Sequence, residues 1–313
     1  THHKDCCMKS SDFVQQPFSF PLIAPKIVLC YNDSIVYSGT GKQGDGMIRL
    51  IFSDMDGTLL DENGNLPRAF GVMYARLKER DIRFAPASGR QYASLVETFA
   101  PWQDELIFVA ENGTLVMERG QELFSTPVDR TLALRVMEAG EGIAGVHALF
   151  CGKRYGYLHE GDNTPDFRTE LAKYVSKSMV VEDFAAVDDV PIKMAFCDPS
   201  GRAETSILPV MQAFSDHLQV TLSSAEWVDV YSQGVSKGVA ARQIQERLGL
   251  TPDECAAFGD YGNDLELMEA VTHSFAMENA IPAVKERARY MAPSNRAHGV
   301  MTVCERILAG EFD

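Results

Sequence analysis

Short apolar runs alternate with amphipathic helical stretches from Met47 to near the C-terminus, and this alternation restricts the fold more than any other feature. The runs that predict strands are 48–53, 82–87, 106–110, 254–258 and 274–277. The stretches that predict helices are 67–80, 91–99, 238–248 and 264–271. Apolar strands that alternate with helices are typical of a parallel sheet covered by helices on both faces. The sequence therefore predicts an α/β fold.

The middle of the chain, residues 128–233, follows a different pattern. A helical stretch is followed by two strand-like runs, and this order occurs twice. The stretches are 131–139 with 146–151 and 154–159, and then 202–218 with 220–223 and 227–231. This order predicts a small antiparallel sheet with helices on one face, inserted as an α+β domain between core segments 47–127 and 234–313.

The first 46 residues differ from the rest of the chain, because they carry two early His and two early Cys and end in a Gly-rich stretch. Met47 then opens a clean strand pattern. We expect residues 1–46 to be a non-core N-terminal extension and Met47 to be the working start.

The formal charge is −15, from 29 basic and 44 acidic residues. A field of that sign repels nucleic acid and anionic lipid, so neither is an expected partner, and a phosphorylated substrate would need a local cation.

No apolar run reaches the roughly 18 residues that span a bilayer. The seven scattered cysteines are typical of free thiols in a reducing compartment, and we expect a cytoplasmic protein.

Two acidic residues follow the first predicted strand, in the motif Asp54-Met55-Asp56-Gly57-Thr58. Side chains two apart in an extended chain point to the same side, so both carboxylates face one site. Their mutual repulsion requires a bound cation or a proton. The pair suits chemistry in which one carboxylate attacks phosphorus and the other transfers a proton. A polar turn built from Asp and Gly is the alternative.

A second acidic group, Gly259-Asp260-Tyr261-Gly262-Asn263-Asp264, follows another predicted strand. Asp260 offers the hard oxygen ligand that Mg²⁺ prefers, and Asp264 is expected to be a further ligand or a support of the site. The alternative for Asn263 and Asp264 is a helix N-cap, because the next helical stretch begins there.

Two further elements supply groups that bind phosphate. Ser88, Gly89 and Arg90 follow the second predicted strand, where a hydroxyl and exposed amides entering a helix form a phosphate cradle. An ordinary Ser N-cap is the alternative. Lys237 starts a predicted helix, a position that the helix dipole makes unfavourable for a cation. A solvated surface group is the alternative for this lysine.

Together these motifs resemble those of the haloacid-dehalogenase-like superfamily, specifically its Cof-type branch of bacterial sugar-phosphate phosphatases. The four family motifs correspond to Asp54-Met55-Asp56-Gly57-Thr58, Ser88, Lys237 and Gly259-Asp260 with Asn263-Asp264. Two further landmarks of the branch are Glu111-Asn112-Gly113 and Ala276-Met277-Glu278-Asn279-Ala280. Residues 1–46 have no counterpart in the family, and Glu278 stands where Gly is more frequent.

The resemblance implies a Rossmann-like core, a C2-type cap at 128–233 and a Mg²⁺-dependent phosphatase. Asp54 would be the nucleophile, and Asp56 the general acid and then the base for water. Mg²⁺ would be held by the Asp54 carboxylate, the Asp56 carbonyl and Asp260, with Asp264 nearby. The residues that would bind the phosphoryl group are Ser88, Gly89, Lys237 and Asn263.

Three more residues are candidates for substrate contact: Arg90, Asn112 and Lys193. The alternatives are a surface ion pair for Arg90, a turn for Asn112 and a solvated strand edge for Lys193. For Lys193 we favour the alternative, a solvated strand edge, over substrate contact.

The predicted function is hydrolysis of small phosphomonoesters, foremost sugar phosphates, by a monomer or small homo-oligomer. A phosphomutase on the same scaffold is a second hypothesis, and it would return the phosphoryl group to a sugar. A non-catalytic metabolite sensor is a third, which requires the loss of a catalytic group. A dehalogenase is disfavoured because Asp56 and Asp260 suit metal-assisted phosphoryl chemistry.

Overall fold

The computed structural model describes residues 47–312, so the expected extension 1–46 lies outside the described residues. The strands are β1 Leu50–Ser53, β2 Arg83–Pro86, β3 Ile107–Ala110, β4 Leu115–Glu118, β5 Gln121–Ser125, β6 His147–Gly152, β7 Gly156–His159, β8 Ser178–Val181, β9 Pro191–Cys197, β10 Leu218–Leu222, β11 Trp227–Ser232, β12 Cys255–Gly259, β13 His273–Met277 and β14 Tyr290–Ala292. The helices are α1 Phe70–Glu79, α2 Tyr92–Thr98, α3 Arg130–Glu141, α4 Pro165–Leu171, α5 Ala203–Ser206, α6 Leu208–Met211, α7 Lys237–Leu248, α8 Leu265–Ala270, α9 Pro282–Arg287 and α10 Gly299–Leu308.

The core is a five-stranded parallel sheet in the order β14-β13-β12-β1-β2. A parallel bridge between Ala87 and Val109 joins its β2 edge to β3, which continues as the antiparallel ribbon β3-β4-β5. All five strands and all four helices that the core pattern predicted are confirmed. The ribbon strands β4 and β5 were not predicted.

The strand order brings the motifs together. β1 lies between β2 and β12, and all three run in the same direction. Their carboxyl ends therefore meet at one edge of the sheet, which is where ligands bind in open α/β sheets. The polar segments that follow β1, β2 and β12 all emerge at this edge.

The inserted region forms a separate six-stranded sheet in the order β10-β11-β9-β6-β7-β8. It is antiparallel apart from the parallel pair β7 and β8. The four predicted runs correspond to β6, β7, β10 and β11, whereas β8 and the central strand β9 were missed. The boundaries of this cap at 128 and 233 stay a prediction.

Two details of the cap correct the sequence prediction. The single helix predicted at 202–218 is interrupted between α5 and α6, because Pro209 lies in the first turn of α6, where it has no amide hydrogen to continue the earlier helix. Helices also cover both faces of the sheet. Phe150 shares an apolar cluster with α3, and the neighbouring Leu149 points to the other face, into a cluster that includes Phe167 of α4.

The contact between α3 and β9 gives a test of cap packing. A Cβ added to Gly140 would lie 1.9 Å from the ring of Phe196, which is completely buried. We expect Gly140→Ala to lower the free energy of unfolding by about 1–2 kcal/mol, because overpacking costs about 1–3 kcal/mol and the helix propensity of Ala offsets up to about 1 kcal/mol. Chemical denaturation measures this change.

Gly142→Ala is the matched control, since its added Cβ would have no atom closer than 3.5 Å. Equal stability of the two variants would contradict the packing assigned to Gly140.

Candidate active site

Lys237 lies at the centre of the site and has no exposed surface. It is the first residue of α7, whose N-terminus is capped by the Ser236 hydroxyl. Its ammonium contacts Asp54 Oδ1 at 2.5 Å and Asp264 Oδ1 at 2.7 Å. Burial opposes the charge, but Asp264 and Asp54 outweigh burial and raise the pKa of Lys237 above its ordinary value. The alternative of a solvated surface lysine is therefore wrong.

Asp264 fixes the loop that follows β12. Its Oδ2 accepts hydrogen bonds from the backbone amides of Asp260 at 2.9 Å and Tyr261 at 3.1 Å, while Oδ1 accepts from Lys237. Asp264 occupies the N-cap position of α8, as the alternative expected, but its side chain makes no capping hydrogen bond to that helix. It orients the loop that carries Asp260.

Three carboxylates collect in one place: Asp54, Asp260 and Asp264 each offer an oxygen, and these oxygens lie within 4.8 Å of one another. Burial, followed by the charge of Asp264, raises the pKa of Asp260 to about 7. Burial raises the pKa of Asp54 well above its ordinary value, although Lys237 lowers it. The single positive charge of Lys237 is too small to balance three ionised carboxylates, so the cluster favours a further cation or a proton. Its donors are all oxygen atoms, and such a set fits a divalent cation such as Mg²⁺.

Asp56 forms a two-pronged ion pair with Arg90, with Nε–Oδ2 and Nη2–Oδ1 distances of 2.7 and 2.5 Å. The Asp56 side chain remains 42% exposed, whereas that of Arg90 is only 10% exposed. Arg90 also stacks over the Tyr174 ring, with 5.5 Å between its guanidinium carbon and the ring centroid. The ion pair expected as the alternative for Arg90 exists, but it lies in the pocket and holds the second carboxylate of the motif.

Ser88 is buried in the turn formed by residues 88–90, which we call the 88–90 turn. Its hydroxyl accepts a hydrogen bond from the Arg90 amide at 3.2 Å. Helix α2 begins only at Tyr92, with Gln91 in the capping position, so the simple Ser N-cap interpretation is wrong. Ser88 and Gly89 both line the pocket.

Asn112 and Asn263 meet beside this turn, where Asn263 Nδ2 donates to Asn112 Oδ1 at 3.0 Å. Asn112 is 1% exposed and has a left-handed backbone with φ of 59°, so it is a buried turn residue that supports Asn263, which lines the pocket. Its own Nδ2 donates to Asp229 of β11 at 2.7 Å.

Lys193 of β9 corrects the favoured sequence interpretation, because it is buried rather than a solvated edge group. Its ammonium lies 2.7 Å from Glu111 Oε2 and 3.4 Å from Asp229 Oδ1. A charged residue inside the apolar run Pro191–Cys197 was the signal available in the sequence, since a buried charge needs partners.

A pocket of about 240 Å³ lies between the core edge and the cap, and the buried Lys237, Asp264 and Asn112 lie behind the residues that line it. Its core side is formed by Asp54, Asp56, Ser88, Gly89, Arg90, Asp260 and Asn263. Its cap side includes Leu149, Val175, Ala195 and Trp227, which sequence reasoning did not single out. The carboxylates, the cradle and an apolar wall thus share a single cavity, a combination suited to holding a small ligand with an anionic end.

Comparisons with known proteins agree on one family. The family described as haloacid dehalogenase-like hydrolase matches residues 51–303. The Escherichia coli K12 protein named 5-amino-6-(5-phospho-D-ribitylamino)uracil phosphatase YbjI is 32% identical over 271 residues, covering 84% of this chain and 97% of its own length. An HMP-PP phosphatase from Citrobacter koseri is 28% identical, covering 75% of this chain and 86% of its own length.

A solved structure gives the same answer for the fold. SMU.1108c from Streptococcus mutans UA159 superimposes with a TM-score of 0.77 at 30% sequence identity, covering 84% of this chain and 99% of its own. Among residues 47–312, no helix combines the length and apolar composition that crossing a membrane requires.

A pair of glycines tests whether the carboxylate cluster binds a cation. Gly57 has φ of +79°, and a Cβ added to it would lie 2.3 Å from Asp260 Oδ2. Gly64 has a similar φ of +75°, but a Cβ added there would have no atom within 4 Å. Both Ala variants carry the left-handed backbone cost of about 1–2 kcal/mol, but only Gly57→Ala displaces Asp260. We expect Gly57→Ala to weaken Mg²⁺ binding by about 10-fold or more, measured by calorimetric titration, and Gly64→Ala to leave it unchanged. Equal Mg²⁺ affinity in both variants would argue against Asp260 as a ligand.

Proposed function

The chain belongs to the haloacid dehalogenase-like hydrolases and is a phosphoric monoester hydrolase. We propose that it uses Mg²⁺ to dephosphorylate a small metabolite, and that the reaction passes through an aspartyl-phosphate on Asp54. The observation that carries this proposal is that two acids and a hydroxyl-bearing turn line one pocket, with the buried ammonium of Lys237 bonded to the first of these acids. Phosphoryl transfer depends mainly on positioning and on neutralisation of charge, and these groups supply both.

Mg²⁺ would be held by the Asp54 carboxylate, the Asp56 backbone carbonyl and Asp260, with Asp264 as a further candidate ligand. The under-neutralised carboxylate cluster supports this assignment. When bound, the ion would supply positive charge to the phosphoryl oxygens. Together with Lys237 it also accounts for how a chain of net charge −15 accepts an anionic substrate.

In the first step an Asp54 oxygen attacks phosphorus, the bond from phosphorus to the leaving oxygen breaks, and Asp56 gives its proton to that oxygen. In the second step Asp56 removes a proton from water, the water oxygen attacks phosphorus, and inorganic phosphate leaves as the Asp54 carboxylate is restored. Arg90 holds Asp56 at the pocket edge by two hydrogen bonds, which limits its rotation.

Lys237, the Ser88 hydroxyl, the Gly89 backbone and Asn263 would bind the transferring phosphoryl group. Donors fixed before the substrate arrives stabilise developing charge without having to reorganise. Lys237 meets this condition, because Asp54 and Asp264 hold its ammonium in place.

The substrate is proposed as a small phosphomonoester whose leaving group lies against the cap. The two named relatives act, by their names, on a phosphorylated ribitylaminouracil and on HMP-PP, so the class of small phosphorylated metabolites is better supported than plain sugar phosphates. The apolar cap side of the pocket suits a leaving group with an apolar part. The oligomeric state, a monomer or small homo-oligomer, stays a prediction. The cytoplasmic location also stays a prediction.

A phosphate-release screen tests this function. Sugar phosphates, nucleotides and phosphorylated cofactors are incubated with the protein, with Mg²⁺ or with a chelator. We expect Mg²⁺-dependent release of inorganic phosphate, and a loss of at least about 1,000-fold in Asp54→Asn, because the nucleophile is removed. The fold should survive, since Asn keeps a side-chain oxygen next to Lys237 and Asp264 remains as the charged partner of that ammonium.

Asp104→Asn, which changes an exposed acid outside the pocket, is the matched control and should keep full activity. An Asp54→Asn variant with near-wild-type turnover would refute the nucleophile assignment. Release of phosphate without any added sugar acceptor separates hydrolysis from the phosphomutase alternative, which transfers the group only to an acceptor.

A further inference from the structure

The turn Glu111–Gly113, which we call the 111–113 turn, is not used by the chemistry proposed above. All three of its residues have positive φ, at 50°, 59° and 95°, and all are buried. A left-handed backbone is unfavourable for Glu and persists only where the surroundings fix it. The contacts of this turn therefore identify what it serves.

The backbone of the 111–113 turn binds the 88–90 turn. The amide of Asn112 donates to the Ser88 carbonyl at 2.9 Å, and the amide of Glu111 donates to the Arg90 carbonyl at 3.1 Å. Two of the three carbonyls of the 88–90 turn are thus held by backbone amides.

The remaining carbonyl, that of Gly89, is held from the cap. Lys193 Nζ donates to it at 2.8 Å. The same ammonium contacts Glu111 at 2.7 Å and Asp229 at 3.4 Å. An ammonium has three donors, and three protein oxygens surround this one. Lys193 borders the pocket, but its ammonium is directed at these three protein oxygens, which favours a supporting role over direct contact with a substrate.

We propose that Lys193 is a positioning residue through which the cap fixes the Gly89 peptide, so that the 88–90 turn keeps its carbonyls away from the phosphoryl group. This inference rests on the proposed phosphatase function. Glycine rotates its peptides more freely than other residues because it lacks a Cβ. Without the ammonium, the Gly89 carbonyl loses its donor and can turn its negative end toward the bound phosphate.

A stability role alone does not account for this arrangement. Lys193, Glu111 and Asp229 are each at most 5% exposed, and buried ion pairs are often no more stabilising than apolar side chains of similar volume. The Lys193 ammonium supplies a hydrogen-bond donor to the Gly89 carbonyl, which an apolar side chain cannot do. The effect of Lys193 should therefore appear in phosphate binding and turnover, whatever the leaving group.

The test compares Lys193→Met with wild type in Mg²⁺-containing buffer. Inorganic phosphate serves as a competitive inhibitor, and two aryl phosphates, one small and one bulky, serve as substrates. We expect the inhibition constant of phosphate to rise about tenfold or more and kcat per folded molecule to fall by about 10- to 100-fold, equally for both substrates. Lys193→Arg, which keeps a donor, should recover part of the loss.

Lys153→Met is the matched control, because Lys153 is also a cap lysine but pairs with Glu122 near the surface. It should change neither constant. The double variant Lys193→Met/Glu111→Gln removes one positive and one negative charge, so the cluster keeps its net charge. It should show the same loss as Lys193→Met, and it provides the measurement if the single variant does not fold.

Unchanged phosphate inhibition and kcat in a folded Lys193→Met or double variant would overturn the inference and leave only a stability role. A rise in KM confined to the bulky substrate would also overturn it, because Lys193 would then contact the leaving group. Neither result touches the proposed function, which fails separately if wild-type protein releases no phosphate.

Discussion

The buried ammonium of Lys237 is the interaction on which the site depends. It has no contact with solvent and is flanked by Asp54 and Asp264, which come from different strand ends. A buried charge without partners is prohibitively unfavourable, so the ends of β1 and β12 and the start of α7 must meet in one geometry. The carboxylate cluster around this ammonium is the group of residues that we propose to hold a divalent cation.

A second polar network connects the cap with this site. Lys193 and Asp229 belong to cap strands, yet they bond to the turns that follow β2 and β3 in the core. The 88–90 turn is therefore held by residues of both sheets. The core supplies the acids proposed to react, while the cap supplies both an apolar wall and part of the support for the turn.

Much of this could be predicted from sequence, because core strands and site motifs are local signals. The apolar run 48–53 predicts a strand, and Asp54 and Asp56, which follow it in the sequence, predict an acidic site at the end of that strand. Strand β9 was missed because Pro191 at its start and the charged Lys193 interrupt the apolar run that identified the other buried strands. The role of Lys193 was missed for a different reason: its partners Glu111 and Gly89 lie about 80 and 100 residues earlier, and sequence spacing carries no information on such contacts.

The central claim is that Asp54 carries the phosphoryl group during turnover. The most direct measurement is rapid acid quenching of the protein during reaction with a ³²P-labelled substrate, followed by peptide mapping. The account predicts a protein-bound label on Asp54 that hydroxylamine removes, as expected of an acyl phosphate. A label on another residue, or the release of phosphate with no protein-bound label at any time, would contradict it.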